Sequence, residues 1–546
     1  MFSIKYFGRN KNSVLMASGL MLLMAAGCDD EIDGGKGTAF ELAVDFMGGK
    51  DAVNAMTTFK IEASGKRFIT LEGAKYDDPA GEISTFTTTT SFDLASDNLR
   101  IDYKRTVPLI GNGMYTYSEI YKGNVGYVDG IESLFGSGDA AMLSSRWASG
   151  RKQQELLHPH LLVREALKDS SAVTFPGQMS EGGETFDIIE VKDAIHPIQL
   201  WVAADGHIAR ATTLVNDFLR RDTEMVVTYE DWQGEGVKFP NKVSIQYAGQ
   251  DLHIEDRTKV ETNATIAADQ FTIPAEAMPM FDAALARFGE ETPEFFQMFA
   301  SIGIPIDARA NGTPVATELE PGSGVYHLGG ALHNSLAIEQ ANGIVIVEGP
   351  HSPERADAII AWAKTMFPTK SITHVIATHH HMDHTAGLRS FVSAGAKVIV
   401  HEASKDFYAD IFKAPSTVVP DTLAQTPATA MIESVVAGTD TVIADATNPV
   451  TIRQFTNPHC GDMVVVHVPL PGAQAGVLFE SDLYNPGNGG VSLSPAFAKA
   501  LLDGITDLAT PPNALDITVV AGGHGGFAPL TELTAYVAAN PVPTAN

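Results

Sequence analysis

Apolar and polar residues alternate in short runs from residue 38 to about 275. Examples are "TFKIEASGKRF", "NLRIDYKRTV", "IQLWVAA", "TEMVVTYEDW" and "NKVSIQY", each bounded by Gly, Asp or Asn. A period of two puts one side of each run on a buried face, so this region is predicted to be an antiparallel sheet. Two stretches, "AFELAVDFMGG" and "RKQQELLHPHLLVREALKD", carry helical spacing instead. Residues 276–306, with Met and Phe at helical intervals, are expected to form a helical bridge, and "RANGTPVATELEPGSG" supplies the turn residues that open a second domain at 307–546. There the pattern alternates strand and helix. "GVYHLGG", "SLAIEQ", "GIVIVEGP", "ITHVIATHH" and "AKVIVHE" read as strands, Ser352 and Pro353 start a helix over "SPERADAIIAWAKTMF", and "TAGLRSFVSAG" reads as helix. The order predicts an α/β domain whose reactive loops leave strand ends.

The first residues follow a different logic. Lys5, Arg9 and Lys11 precede the apolar run "SVLMASGLMLLMAAG", which is short for a membrane span and ends in small residues before Cys28. That order predicts an export signal over 1–27 and a polar tether over 28–37. The "AAG" and cysteine together resemble the lipobox of bacterial lipoproteins, which implies cleavage before Cys28 and a lipid on its sulfur. The protein is then expected in the bacterial cell envelope, lipid-anchored and facing the periplasm or the exterior. Cys460 is the other cysteine, so a lipidated Cys28 leaves no intramolecular disulfide.

A length of 546 residues exceeds one ordinary core, and 44% hydrophobic content suffices for two. The formal charge of −29 repels nucleic acid and anionic lipid headgroups, which argues against them as principal partners, and it serves solubility; a small-molecule substrate is the expected partner.

"ATHHHMDHTAG" concentrates the candidate chemistry, with four histidines and an aspartate between 379 and 384. In an extended segment His379 and His381 share a face, while Asp383 and His384 turn toward a second position past the bend. Such a loop cannot complete two metal sites, so a further histidine and a bridging carboxylate are required. His459 in "NPHCGDMVVVHVP", Asp482 in "AGVLFESDLYNPG" and His524 in "DITVVAGGHGG" stand where strand ends would deliver them.

This set resembles the metallo-β-lactamase superfamily across roughly residues 307–546. The resemblance implies an αββα sandwich with two Zn²⁺, or other divalent ions. His379, His381 and His459 would hold one, Asp383, His384 and His524 the other, and Asp482 would bridge them. It further implies a hydrolase whose nucleophile is a metal-bridging hydroxide, with Asp383 as the catalytic residue that orients it or carries a proton. Arginine, which follows the aspartate in one class of zinc β-lactamases, is replaced here by His384. Esters, thioesters or lactones are accordingly the expected substrates, with β-lactams the alternative.

The other histidines read as packing or hydrogen-bonding groups: His158 and His160 around a proline, His374, His401 and His467 within strands, and His380 beside the ligands. Cys460 reads as a bystander, and Tyr484 as either a substrate contact or loop packing. The N-terminal region loosely resembles the half-barrels of periplasmic lipoprotein-carrier proteins. That likeness implies a second possibility, an envelope lipid or ligand carrier with an accessory hydrolase domain.

Overall fold

The computed structural model describes residues 38–108, 113–133, 138–278, 280–303, 312–471, 475–487, 489–510 and 514–542. The export signal, the tether and Cys28 lie outside the described residues.

The alternating N-terminal runs form one antiparallel sheet of thirteen strands. Its topology is a meander that leaves the middle and returns to it. From Thr58–Ile69 the chain steps outward through Gly81–Asp93, Asn98–Thr106, Met114–Lys122 and Val125–Gly130 to the Ala140–Ala141 edge. Helices Ser144–Leu157 and Pro159–Lys168 carry it across to the far edge at Val173–Glu181, from which it steps back inward until Gln250–Thr262 pairs with Thr58–Ile69. The edge strands do not pair with each other, so the sheet is open.

The predicted helical stretches pack on this sheet. Ala43, Val44, Leu156, Leu162 and Val163 share a core with Ile189, Leu200, Val227 and Ile245. His158 and His160 are buried there, donating to the carbonyls of Gln154 at 2.8 Å and Lys238 at 2.7 Å, which agrees with a packing role. Burial pushes both rings down to about 3, so both are neutral in the fold.

The 276–306 segment is more than a bridge. Its helices Ala283–Glu291 and Pro293–Ser301 belong to the N-terminal helical layer, against Ser144–Leu157, while Phe295 also meets the ring of His351 edge-on at 5.2 Å. Residues 304–306 lie outside the described residues.

The C-terminal region is the expected αββα sandwich. One sheet has seven strands in the order Val315–Glu318, Val325–Gly329, Ser335–Gln340, Gly343–Val347, Ile372–Ile376, Lys397–His401 and Ile432–Val435. Pairings are antiparallel at its start and parallel from Gly343–Val347 onward. The second sheet runs Thr441–Ile443, Val450–Gln454, Val464–Pro469, Gly476–Ser481, Val519–Gly522 and Phe527–Pro529. Val345, Ile376 and Ile399 of the first sheet meet Val464, Val466 and Phe479 of the second, forming the inner core. Helix Pro353–Met366 covers the first sheet through Ile359 and Ile360, and helices Pro495–Leu508 and Leu530–Ala539 cover the second through Leu501, Ile505 and Leu533. Strands buried on both faces explain the unbroken "GIVIV" run.

The two regions are joined by polar contacts. The Arg221 guanidinium donates to the Val419 carbonyl at 2.9 Å and the Ser416 hydroxyl at 3.2 Å, and Asp222 accepts from the Thr417 and Val418 amides.

Candidate metal centre

Parallel strands deliver their chemistry at one end. Gly343–Val347 ends at Glu348, Ile372–Ile376 runs into His379–His384, Gly476–Ser481 ends at Asp482, and Val519–Gly522 is followed by His524. His459 sits in the turn before Val464–Pro469, where Asn457 Oδ1 accepts the His459 and Cys460 amides at 2.8 Å each. Three residues at these ends adopt the left-handed region without being glycine: Glu348 at φ 66°, His351 at 72° and Ser481 at 72°. Such strain persists where packing over-determines the backbone, as at functional sites.

Every metal-ligating residue expected from the sequence within the described residues converges here. His379, His381, His459 and Asp482 place donor atoms within 4.8 Å of one another, as do His333, Asp383, His384 and His524. Asp482 touches both groups, with Oδ2 2.9 Å from His459 Nε2 and Oδ1 3.2 Å from His524 Nε2. His384 Nε2 lies 3.5 Å from Asp383 Oδ2 and 3.8 Å from Asp482 Oδ2.

The hydrogen bonds behind these rings fix which nitrogen faces inward. His384 donates from Nδ1 to Glu348 Oε2 at 2.9 Å, His381 from Nε2 to the Gly73 carbonyl at 2.9 Å, and His379 Nδ1 lies 3.1 Å from Thr378 Oγ1. The opposite atoms, His384 Nε2, His381 Nδ1 and His379 Nε2, are buried with no hydrogen-bond partner, as are His459 Nε2 and Asp383 Oδ1. Buried polar atoms are ordinarily satisfied. Imidazole lone pairs and carboxylate oxygens left bare and facing one another are a donor set suited to Zn²⁺ or a similar divalent ion. The residues present therefore fit the metals that the sequence implies.

Electrostatics give the same picture. Burial, reinforced by His459 and His380, pushes His381 down to about 3, and burial with neighbouring histidines also depresses His379. Both are neutral and ready to ligate. Burial opposes charge on His384 and His524, yet Glu348 and Asp383 raise the first and Asp482 raises the second. Without a cation, the carboxylates recruit protons to these rings; a bound cation would neutralise the same cluster.

Four contributors were missed by sequence reasoning. Glu348, fully buried, also accepts from Thr378 Oγ1 at 2.6 Å and from Ser481 Oγ, locking the strand ends together. His333 donates from Nε2 to Asp383 Oδ2 at 2.9 Å. His351, whose amide donates to the Asp383 carbonyl at 2.8 Å, packs its ring 5.3 Å from that of His333. Glu72 arrives from the N-terminal sheet, with Oε2 3.5 Å from His381 Nδ1. "VIVEGP" and "GGALHNSLAI" carried the weak signal of a polar residue at a strand end, while Glu72 had none.

Of the remaining side chains, His380 and Cys460 have donor atoms within 4.8 Å of one on His381, but both turn to another partner. His380 donates from Nδ1 to Asp462 Oδ1 at 2.8 Å, and the Cys460 thiol, raised by burial, donates to the same oxygen at 2.7 Å. His467 bonds the Asp516 carbonyl, and His401 accepts from the Ala403 amide. His374 is half-buried, near Thr373. Tyr484 packs within its loop, its hydroxyl 3.2 Å from Glu532.

The family model described as "Metallo-beta-lactamase superfamily" matches residues 328–482. These residues form a metallo-β-lactamase superfamily domain. Solved structures to which part of the chain is similar include the Metallo-beta-lactamase from Pontibacter korlensis, 19% identical, covering 41% of this chain and 98% of that one at a TM-score of 0.29. Another is the Metallo Beta Lactamase from Erythrobacter litoralis, 17% identical, covering 42% of this chain and 96% of that one at a TM-score of 0.31. Curated proteins gave no match. His524 and the second helical layer lie beyond the matched segment, which ends at the shared carboxylate Asp482.

Proposed function

We propose that the protein is a dinuclear metal-dependent hydrolase acting on an ester, thioester or lactone. The observation that carries this reading is the pair of donor clusters meeting at Asp482. Two divalent ions, taken here as Zn²⁺, would be held by His379, His381 and His459 on one side and Asp383, His384 and His524 on the other, with Asp482 between. Bound there, they would supply Lewis acidity and a water acidic enough to react at neutral pH.

The protein's own groups then orient and move protons. His333 donates to Asp383 Oδ2 and so holds the carboxylate, which would accept a proton from the attacking water and return it to the leaving oxygen or sulfur. Glu348 holds His384 in the tautomer whose Nε2 faces inward.

The alternative, a lipid or ligand carrier with an accessory hydrolase domain, would rest on the N-terminal region. That region buries Arg146 against Glu119 at 2.8 Å and Glu132 at 2.6 Å. A cleft of about 570 Å³ there mixes the charged Arg151, Lys152 and Glu155 with the apolar Phe92, Leu94 and Trp147. We further infer a lipid anchor at Cys28, with the enzyme facing the periplasm or exterior.

Elemental analysis of protein purified without added metal, combined with a screen of esters, thioesters, lactones, sulfate esters and β-lactams, tests the reading. About two zinc per chain and metal-dependent turnover of an acyl bond are expected, with Asp383→Asn folded but at least roughly a hundredfold slower. Turnover confined to β-lactams would replace the substrate class. One iron, or no metal, would end the dinuclear proposal.

A further inference from the structure

The connection between strands Thr58–Ile69 and Gly81–Asp93 belongs to the N-terminal sheet, yet its tip reaches into the metal centre. A Glu72 carboxylate oxygen lies within 4.8 Å of donor atoms on both His381 and Asp383, so it faces the gap between the two clusters. Glu72 Oε1 is buried without a partner, and so is His381 Nδ1, the nitrogen from which Oε2 is separated by 3.5 Å. Two donors bound about 2.0–2.1 Å from one tetrahedral ion stand roughly 3.3 Å apart, close to that separation.

The tip is fastened to the sandwich by a few contacts. The Gly73 carbonyl accepts from His381 Nε2, the Ala74 carbonyl accepts from the Gly461 amide at 2.8 Å, and Tyr76 stacks on Phe407 with ring centres 5.0 Å apart. Leu71, which precedes Glu72, is buried at φ 61°, a left-handed conformation that costs a non-glycine residue energy. The other donors ride on sandwich strand ends; Glu72 alone among them rides on a hairpin of the other region and keeps 22% of its side chain exposed.

We propose that Glu72 is an exchangeable ligand: the N-terminal region caps the metal centre with its own carboxylate, and substrate must displace it. Each cluster already supplies at least three protein donors, and catalytic zinc sites keep one position open for water or substrate. Glu72 faces His381 and Asp383, so with metal bound it would take the position that a substrate carbonyl or product carboxylate needs. A small anion should therefore compete with Glu72. The inference rests on the dinuclear reading above.

The test uses the full chain loaded with Co²⁺, compared as wild type, Glu72→Gln and Glu72→Ala, with metal content, visible Co²⁺ bands and azide titration as readouts. Expected are unchanged metal content, altered bands, and azide affinity tightened about tenfold or more in Glu72→Ala, a shift of roughly 1.4 kcal/mol. The near-isosteric Glu72→Gln should tighten azide binding less, and it guards against a folding defect in the alanine variant. Identical bands and azide affinities in all three proteins would overturn the proposal. Loss of metal from both folded variants would overturn it too, because Glu72 would then be a permanent ligand. A wild-type protein that takes up no Co²⁺ would instead remove the dinuclear reading itself.

Discussion

Replacing Glu348 by Gln changes one oxygen to an NH₂ group and leaves size and shape almost untouched. In the native protein Oε2 accepts the His384 Nδ1 proton at 2.9 Å while Oε1 accepts from Thr378 and Ser481, all in a fully buried setting. An amide NH₂ at the Oε2 position would donate to Nδ1, which transfers the ring proton to Nε2. That is the atom facing Asp383 and Asp482 at 3.5 and 3.8 Å. The ring would then present a proton where a lone pair is needed. Restoring the ligating tautomer leaves two buried N–H groups opposed, a penalty of about 1–3 kcal/mol. The alternative amide orientation sets the NH₂ against the Thr378 and Ser481 hydroxyls, which must both turn, at a comparable cost. Metal affinity should therefore fall roughly 10- to 100-fold, the range typical of groups that orient ligating histidines. Competition with a chromophoric chelator measures it directly, and the melting temperature of the metal-free variant separates this loss from unfolding. Affinity within twofold of wild type, in a folded variant, would refute the assignment of Glu348 as the residue that sets the His384 tautomer.

Three further outcomes follow from other parts of the molecule. In Gly523→Ala the new Cβ would stand 2.9 Å from Glu348 Oε2, His384 Cε1 and the Ser481 carbonyl, so the variant should lose about 1–3 kcal/mol in denaturant melts and bind metal more weakly; an unchanged midpoint would mean the loop yields freely. His158 and His160 titrate at about 3 in the fold but near 6.5 when unfolded, so their contribution is complete above about 6.5 and is lost as pH falls toward 3. At pH 5 each should have given up about 2 kcal/mol, and urea melts of His160→Gln should show a shallower loss between pH 7 and 5 than wild type; equal slopes would contradict the burial argument. Wild-type protein expressed in a bacterial host should incorporate labelled palmitate and sediment with membranes, whereas Cys28→Ala should do neither; a soluble, unlabelled wild type would dismiss the anchor.

What could be read from the sequence, and what could not, divides along a physical line. Donor atoms for a divalent ion come from few residue types, and strand ends place them in order, so "THHHMDH", His459, Asp482 and His524 announce themselves in a linear text. The sandwich follows from the same text because strands buried on both faces leave unbroken apolar runs. The groups that aim those donors obey no such restriction. His381 is oriented by the carbonyl of Gly73, a chain atom that every residue possesses, 308 positions away. His333 and Glu348 are single polar residues in turns, and only the tertiary pairing of strand ends gives them Asp383 and His384 as partners. Glu72 is legible only after the first strand of the N-terminal sheet has paired with its last and the hairpin has been carried against the sandwich. Ligation is thus written in residue types, while orientation is written in position. A sequence can declare a metal centre and remain silent about the second region that closes over it.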